Sequence, residues 1–366
     1  MSLPPLLRVL FFAAAILTST GQAAEFFVSP AGSDGNSGSR ATPFATFARA
    51  QTAVRAARKT NPEESVTVRF GAGVYPLEHS LAFTPLDSGP SADHPVTYCA
   101  ETNATVVISA GRAIDGWQPD PYRPHIWKTR VPAAGDNQSW RFDQLWVNGQ
   151  AAIRARTPNG RDFSILEGVS EEPMGNDSQR VRHTFTMPAG IRASLGDLGP
   201  QELHDVQIVV IHKWDTTREW VDSVSLTNDT LVTRGKKMKF WNKMKRGSLF
   251  YLENFIGALD APGEWFLDRA GWLYYWPRPG EDMAKAEVMA PVLDQLVSVQ
   301  GRPEAPVQHL RFAGLKFRHA GLEIPTEGFS PNQAAMNTGA TAVQLDNSSD
   351  IQFTNCAIEH IGPTAI

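Results

Sequence analysis

The sequence has few cysteines and no long apolar run in its body, and each shortage excludes a class of protein. Its 366 residues include only two cysteines, Cys99 and Cys356. Both lie in apolar strand-like runs, so we interpret them as small hydrophobic residues and not as a disulfide framework. After residue 24, no segment has the 18 or so consecutive apolar residues that a transmembrane helix needs. We therefore expect no membrane span in the mature protein.

Several sequence motifs of well-known enzyme classes are also missing. The chain has no Gly-x-Ser-x-Gly, no P-loop, no His-Glu-x-x-His and no cysteine cluster. These absences argue against serine-hydrolase chemistry, nucleotide use and zinc proteolysis. The formal net charge of -4 gives no reason to expect nucleic acid or anionic lipid as a partner. We expect neither a cofactor nor a bound metal ion.

The first 24 residues have the pattern of a secretory signal peptide. Arg8 supplies a positive charge, Val9 to Leu17 form a short apolar run, and small residues follow at Gly21, Ala23 and Ala24. We predict cleavage after Ala23 or Ala24, and hence a protein that is secreted to the periplasm, the cell surface or the medium.

Tryptophan divides the remaining chain. All ten tryptophans lie between Trp117 and Trp276, and neither flank has any. Such a compositional shift predicts a separate unit placed between two parts of another domain. We therefore divide the chain into a signal peptide (1–24), an N-terminal part (25–112), an inserted β-rich domain (113–290) and a resumed part (291–366).

Short β-type runs dominate all three mature segments. In the N-terminal part they lie at 66–70, 81–83, 96–100 and 105–110, after a helix predicted at 43–60 with Thr42 as its cap. In the middle segment, Asn148-Gly149 and the turn at 268–271 each predict a hairpin. We expect the inserted domain to be a small sandwich or barrel.

An internal repeat appears near the end of the chain. LRFAGLKFRHAG at 310–321 aligns with IQFTNCAIEHIG at 351–362, with an offset of 41 residues. A repeat of short strands predicts a solenoid, in which each strand stacks on its counterpart in the next turn. Phe312 should then lie beside Phe353, Leu315 beside Cys356, and Arg318 near Glu359. Because the sequence stops in an apolar run without a capping element, we expect it to be incomplete or truncated.

These segments carry a resemblance to a known family. The opening FFVSPAGSDGNSGSRATPFATFARAQTAVRAA is similar to the start of many right-handed parallel β-helix enzymes, and the stretch 306–362 resembles the resumed helix. The runs at 141–159 and 253–282 resemble the insertion of proteins like glycoside hydrolase family 141. The resemblance implies a mainly β fold, a right-handed parallel β-helix with an inserted Trp-rich domain. It also implies hydrolysis of a plant-type glycan, with catalytic carboxylates on later coils, so no catalytic residue is assigned.

Four side chains are candidates for contact with a polysaccharide. Arg154 and Arg156, with Ala155 between them, lie on the same face of one predicted strand. Two cations on one face can hold an acidic sugar or a carboxylate. They can equally lock the insertion onto the helix through salt bridges. His319 and His360 occupy matching repeat positions, where they can contact sugar hydroxyls or form a structural stack.

Carboxyl groups are candidates for acid–base work, since glycoside hydrolysis normally uses two of them. The repeat offers Asp346 and Glu359, and the stretch between its two halves offers Glu323 and Glu327. Glu359 is best explained as an ion-pair partner of Arg318, and Asp346 as a turn residue. The loop around Asp34 is either a calcium ligand or, more simply, a turn before the helix.

Three functions remain open from the sequence. The first is a secreted glycoside hydrolase acting on a complex polysaccharide. The second is a polysaccharide lyase, in which Arg154 and Arg156 would neutralise a uronate. The third is a non-catalytic carbohydrate-binding or cell-surface protein, in which the Trp-rich domain binds the glycan.

Overall fold

The computed structural model describes residues 23–131, 140–196, 198–225, 227–330 and 341–366. The described chain is mainly β, with one helix of 14 residues and two short ones. The predicted signal peptide lies almost wholly outside the described residues.

The N-terminal part contains one helix and seven strands. The helix α1 is Phe47–Thr60, and a short 3-10 turn spans Pro85–Asp87. The strands are β1 (Ala24–Val28), β2 (Val66–Phe70), β3 (Gly73–Pro76), β4 (Leu81–Phe83), β5 (Val96–Ala100), β6 (Val106–Ser109) and β7 (Gly111–Ala113). The predicted runs at 66–70, 81–83 and 96–100 are confirmed to the residue.

The start of α1 differs from the prediction. The cap is Thr46, whose hydroxyl accepts a hydrogen bond from the Arg49 amide, and not Thr42. Asp34 accepts hydrogen bonds from the amides of Ala45 and Thr46, and Phe44 forms a bridge to Val28. Residues 43–46 are therefore held in extended form by the preceding loop. Asp34 has the role of a turn residue that positions the helix.

The middle of the chain adds fifteen strands, two short helices and a 3-10 turn at Ile256–Ala258. The helices are α2 (Ala189–Ala193) and α3 (Pro200–Leu203). The strands are β8 (Gln118–Pro119), β9 (Trp127–Arg130), β10 (Trp146–Val147), β11 (Gln150–Ala151), β12 (Ile153–Arg154), β13 (Arg156–Thr157), β14 (Ser164–Ile165), β15 (Gly168–Met174), β16 (Asp177–Thr186), β17 (Gln207–His212), β18 (Asp215–Ser225), β19 (Thr230–Lys236), β20 (Leu249–Glu253), β21 (Glu264–Leu267) and β22 (Trp272–Tyr275).

Seven strands complete the chain. They are β23 (Val288–Pro291), β24 (Val297–Gln300), β25 (Val307–Ala313), β26 (Leu315–Arg318), β27 (Val343–Asp346), β28 (Ser348–Thr354) and β29 (Ala357–Glu359). Asp346 is thus the last residue of a strand and not part of a turn. Its carboxylate accepts a hydrogen bond from the Gln344 amide group.

Three parallel sheets join the two flanks of the chain. Their strand orders are β1-β2-β5-β25-β28, β3-β6-β26-β29 and β4-β24-β27. Strands from before and after the middle segment lie side by side, since β25 pairs with β5 and β26 with β6. Their interior is one continuous apolar core drawn only from the two flanks.

The predicted repeat sets the register of this part. Phe312 is paired with Phe353, and their ring centroids are 4.8 Å apart. Lys316 pairs with Ala357, which places Leu315 and Cys356 next to each other. The Arg318 Nε donates to Glu359 Oε1 at 2.7 Å. The predicted neighbours and the 41-residue offset are confirmed, and both cysteines are free thiols.

The middle segment has its own sheets and its own cores. Both predicted hairpins are present: β10 pairs with β11, and β21 with β22. β18 and β19 are two separate strands, because the chain turns before Thr230. The largest sheet has the order β13-β20-β17-β18-β19-β16-β15, with β14 also on β20. Within the described ranges the first and last strands of this sheet do not pair, so the sheet is open and does not form the barrel that we considered as an alternative.

The two ends of the middle segment meet. β7, which leads into it, pairs antiparallel with β23, which leads out, so that Met289 lies opposite Ala113. β10 pairs with the other edge of β23. This small sheet connects the inserted region, as we call residues 113–290 below, with the parallel sheets.

Candidate functional site

A cleft lies where the inserted region meets the segment that follows β26, residues 319–330, which we call the excursion. The Gln144 side chain donates to the Leu322 carbonyl at 2.9 Å and accepts from the Leu322 amide at 2.8 Å. The Ile324 amide donates to Asp143 Oδ2 at 2.7 Å. These bonds fix the segment 141–146, which leads into and includes the start of β10, against the backbone of the excursion. We call the space they border the junction cleft.

The junction cleft consists of two adjoining cavities of about 490 and 330 Å³. The larger has the size of a small-ligand pocket. Four residues line both cavities: Arg141, Phe142, Asp143 and Glu323. The larger cavity also includes Arg154, Asp205, Trp220, Arg234 and Arg269, and the smaller one Trp140 and Asp294. Charged groups of both signs and indole rings thus line the cleft.

Arg154 forms part of the wall of this cleft, but its charge is already paired. Its guanidinium lies 2.8 Å from Asp143 Oδ1 and 3.8 Å from Glu253 Oε1, and only 11% of the side chain is exposed. Glu253 is also paired with Arg218, which donates to the Tyr251 hydroxyl at 3.3 Å. Arg154 therefore links the segment that borders the cleft to the largest sheet, and both of its partners lie inside the inserted region and not on the parallel sheets.

Arg156 is not brought together with Arg154. The strand predicted to carry both is interrupted at Ala155: β12 pairs with β21, whereas β13 pairs with β20 of another sheet. The Arg156 guanidinium donates to the carbonyls of Pro158 and Asp162 and lies 3.6 Å from the centroid of the Tyr251 ring. Its contacts are local and it does not line the junction cleft.

Glu323 and Arg141 distinguish the cleft chemically. Burial, together with the negative charges of Asp143 and Asp294, raises the pKa of Glu323, and Arg141 opposes this shift. A carboxyl group with a raised pKa can donate a proton or a hydrogen bond at mildly acid pH. Arg141 is exposed, and it has no ion-pair partner among the described residues. Of the sequence candidates, Arg154 and Glu323 line this cleft. Arg141 and Asp143 lie in the run 141–159, which indicated a hairpin and the family resemblance but no binding residue apart from the two arginines.

His319 and His360 lie together, away from the cleft. Their ring centroids are 5.6 Å apart, and both rings face the Trp146 indole, at 5.3 and 6.1 Å. The His319 Nδ1 is 2.9 Å from the Ser109 hydroxyl. Burial, with help from the charges of His360 and Arg318, lowers the pKa of His319 to about 4. The pair is therefore neutral near pH 7, and His319, which is 6% exposed, packs between the two parts of the molecule.

The remaining carboxyl candidates have structural partners. Glu359 forms the expected ion pair with Arg318, and Glu327 accepts a hydrogen bond from the Thr326 hydroxyl at 3.5 Å. Within the described ranges, no group of three or more His, Cys, Asp and Glu side chains is arranged to hold a metal ion. No helix in this part of the chain is long and apolar enough to cross a membrane.

Part of the chain matches the model of a known protein family. Residues 124–278 match the family model described as the GH141 insertion domain. The inserted region is GH141-like. This match covers both hairpins, the strands that carry Arg154 and Trp220, and the turn that carries Arg269, so one wall of the junction cleft belongs to the GH141-like region.

A solved structure extends the likeness to nearly the whole chain. It is titled "Glycoside hydrolase", is 26% identical, and is matched with a TM-score of 0.78 over 93% of this chain. The chain spans 62% of the length of that protein. A second structure, titled "The complex structure of XylC with xylose", is 15% identical over 82% of this chain and 36% of the other, with a TM-score of 0.35, too low to support an argument. No curated protein matches the sequence.

Proposed function

We propose that this protein is a secreted glycoside hydrolase that acts on a complex, plant-type polysaccharide. The observation that carries the proposal is the likeness, over 93% of the chain, to a solved glycoside hydrolase, together with the GH141-like insertion. The chain spans 62% of that relative, so we propose the activity of the whole protein and test it below.

The architecture we propose is a right-handed parallel β-helix interrupted by the inserted region. Support comes from three parallel sheets that each contain strands from both flanks, and from the 41-residue offset between β25 and β28. In such a helix every turn contributes one strand to each sheet, as successive segments of this chain do.

The junction cleft is the surface that we propose for sugar binding. Glu323, with its raised pKa, supplies a hydrogen-bond donor when protonated, and the exposed Arg141 supplies a second. The ring of Trp220 lines the same cavity, and its Nε1 donates to the Pro325 carbonyl at 2.8 Å. An aromatic face with a few convergent polar groups is the usual composition of a small-ligand site.

The lyase alternative loses the support that the arginine pair gave it. β-Elimination from a uronate needs a cation free to neutralise the sugar carboxylate. Arg154 is paired with Asp143 and Glu253, and Arg156 is held on Tyr251, so a lyase would have to use Arg141 of the cleft. The hydrolase proposal needs no such cation, because hydrolysis requires two carboxyl groups in different environments.

The decisive experiment uses the protein purified from its native source and a panel of plant polysaccharides. We expect release of reducing ends without a gain in ultraviolet absorbance, because hydrolysis leaves no double bond in the product. A matching rise in absorbance would replace the hydrolase by a lyase. Binding without product on every glycan of the panel would leave the non-catalytic alternative.

Two variants test the place of the cleft in this function. Glu323→Ala and Arg141→Ala should weaken glycan binding, whereas Glu327→Ala, on the same excursion but outside the cleft, should not. Equal behaviour of all three would remove the junction cleft from the proposal without touching the reaction itself. The N-terminal sequence and intact mass of the same preparation test secretion, since cleavage after Ala23 or Ala24 is expected.

A further inference from the structure

A second surface of the inserted region combines positive charge with exposed rings. Seven of the 34 Lys and Arg residues of the chain lie between Arg234 and Arg246, and no acidic residue lies between 230 and 252. The formal net charge of the whole chain is -4. We call the segment 236–246, with Lys213 and Trp214 beside it, the basic aromatic loop.

Buried residues fix this loop while its charges face outward. Met238 and Met244 are 7% and 6% exposed and belong to the core of the inserted region, and Asn242 is also buried. The residues between and directly after these anchors are exposed: Lys239, Phe240, Trp241, Lys243, Lys245 and Arg246. Within the described residues, Lys236, Lys237, Lys243, Lys245 and Arg246 have no acidic side chain at ion-pair distance. Their charges are therefore available to a ligand.

The rings of the loop are not needed by the core. Phe240 is 86% exposed, Trp214 52% and Trp241 36%. The Lys213 ammonium lies 5.4 Å from the centroid of the Trp214 ring, and that of Lys239 5.3 Å from the Trp241 ring. Exposed aromatic surface of this extent costs free energy in water, and a sugar ring, with its apolar face, can cover it.

A polar cavity lies between the two aromatic turns. His212 Nδ1 is 3.1 Å from Asn242 Oδ1, and the Asn242 amide group donates to Asp215 at 2.9 Å. These contacts tie the turn that carries Trp214 to the turn that carries Trp241. The cavity has a volume of about 330 Å³, and its walls include His212, Asp215, Asn242 and the lysines 236, 237 and 239. Its walls thus offer hydrogen-bonding groups and charges of both signs, with the carboxylates of Asp177 and Asp215 beside the lysines.

We propose that the basic aromatic loop is a second binding site of this protein, specific for a polysaccharide that bears carboxylate or sulfate groups. The rings stack on sugar faces, the lysines pair with the anionic groups, and the cavity receives one unit of the chain. A fluid lipid surface needs no walled polar cavity, and this favours a glycan over a membrane. The inference rests on the proposed function for its ligand class, but it concerns binding and not turnover.

The experiment is affinity electrophoresis and co-sedimentation of the full chain. The probes are polygalacturonate for carboxylate, dextran sulfate for sulfate, and dextran as the neutral glycan. We expect retardation by one or both anionic glycans, weakened by added salt, and none by dextran. The anionic glycan that binds more tightly identifies the charged group that the site prefers.

Variants separate the two contributions. Phe240→Ala with Trp214→Ala, and Lys236→Gln with Lys237→Gln and Lys243→Gln, should each weaken binding by roughly tenfold or more. The control is Lys59→Gln with Lys285→Gln and Arg302→Gln, which removes the same charge from exposed positions elsewhere and should leave affinity unchanged.

Three results would overturn the proposal: no binding to either anionic glycan, equal losses in the control variant, or tighter binding to phosphatidylserine vesicles or single-stranded DNA. Because no turnover is measured, a protein that binds here yet releases no reducing ends contradicts only the proposed hydrolase function. A protein that hydrolyses glycans but fails these tests contradicts only the second site.

Discussion

The parallel sheets fill their interior with stacked rings, whereas the inserted region buries charged groups. In the sheets, Phe47 lies 4.8 Å from Tyr98, Tyr98 lies 5.7 Å from Phe312, and Phe312 lies 4.8 Å from Phe353, measured between ring centroids. This ladder crosses from the N-terminal flank to the C-terminal flank. It therefore connects segments separated by the whole inserted region.

In the inserted region, buried carboxylates and cations neutralise each other. His183 is fully buried, with Nδ1 2.9 Å from Glu219 and Nε2 3.2 Å from Glu171. Burial alone would lower its pKa, but the hydrogen bonds to the two carboxylates raise it. Arg154 and Arg218 share Glu253 in a second network. Nearby, burial raises the pKa of Glu264 to about 7.

The difference lies in how each interior tolerates change. Stacked rings lose stability in proportion to the area and volume removed. Removing one partner of a buried ion pair lowers the free energy of unfolding by several kcal/mol, because it leaves the other charge buried and unpaired. The intact pair itself contributes much less than that. All ten tryptophans lie in the inserted region, so tryptophan fluorescence follows its unfolding, whereas far-ultraviolet circular dichroism follows both parts.

The largest effect is expected from Phe312→Ala. Its ring is fully buried and also contacts Phe83 at 5.3 Å, so truncation should cost about 3–5 kcal/mol. The urea midpoint measured by circular dichroism should fall more than the midpoint measured by fluorescence. Phe353→Ala is the matched control at a partly buried position, and its cost should be about half as large. Equal losses in the two variants would argue against the ladder as the main source of stability.

Arg154→Met should cost somewhat less, about 2–4 kcal/mol, because it leaves Asp143 and Glu253 in a poorly solvated place with less compensating charge. Here the fluorescence midpoint should move most. Arg156→Met removes a cation from Tyr251 and should cost about 1 kcal/mol. Adding Asp143→Asn to Arg154→Met should restore part of the loss. A single Arg154→Met variant no less stable than Arg156→Met would mean that the buried network contributes little.

The same contrast explains how far the sequence allowed prediction. The register of the parallel strands could be predicted because a repeat of identical spacing brings like residues together, as Phe312 and Phe353 show. The start of α1 was missed because Asp34, a loop residue eleven positions away from Ala45, holds residues 43–46 extended. The junction cleft was missed because Asp143, Arg154 and Glu323 meet only through tertiary contacts. Sequence spacing carries no information on such pairs.

His319, where the two parts of the molecule meet, gives the smallest and most specific effect. Its pKa is about 4 in the folded protein and 6.5 ordinarily, so the unfolded chain binds more protons between these values. The free energy of unfolding should therefore fall as the pH is lowered from about 6.5 to 4, by about 2.5 kcal/mol from this residue.

His319→Asn should flatten that slope, and asparagine tolerates the positive φ of 66° at this position. His360→Asn, at a half-buried position with φ 53°, should flatten it less. Arg318 and Glu359 carry the other charges that act on His319, and neither variant changes them. Urea titrations at several pH values measure the slope. If His319→Asn leaves the slope unchanged, protonation of His319 is not coupled to folding through its contact with Trp146. The small sheet of β7, β10 and β23 would then be the connection between the two parts of the molecule.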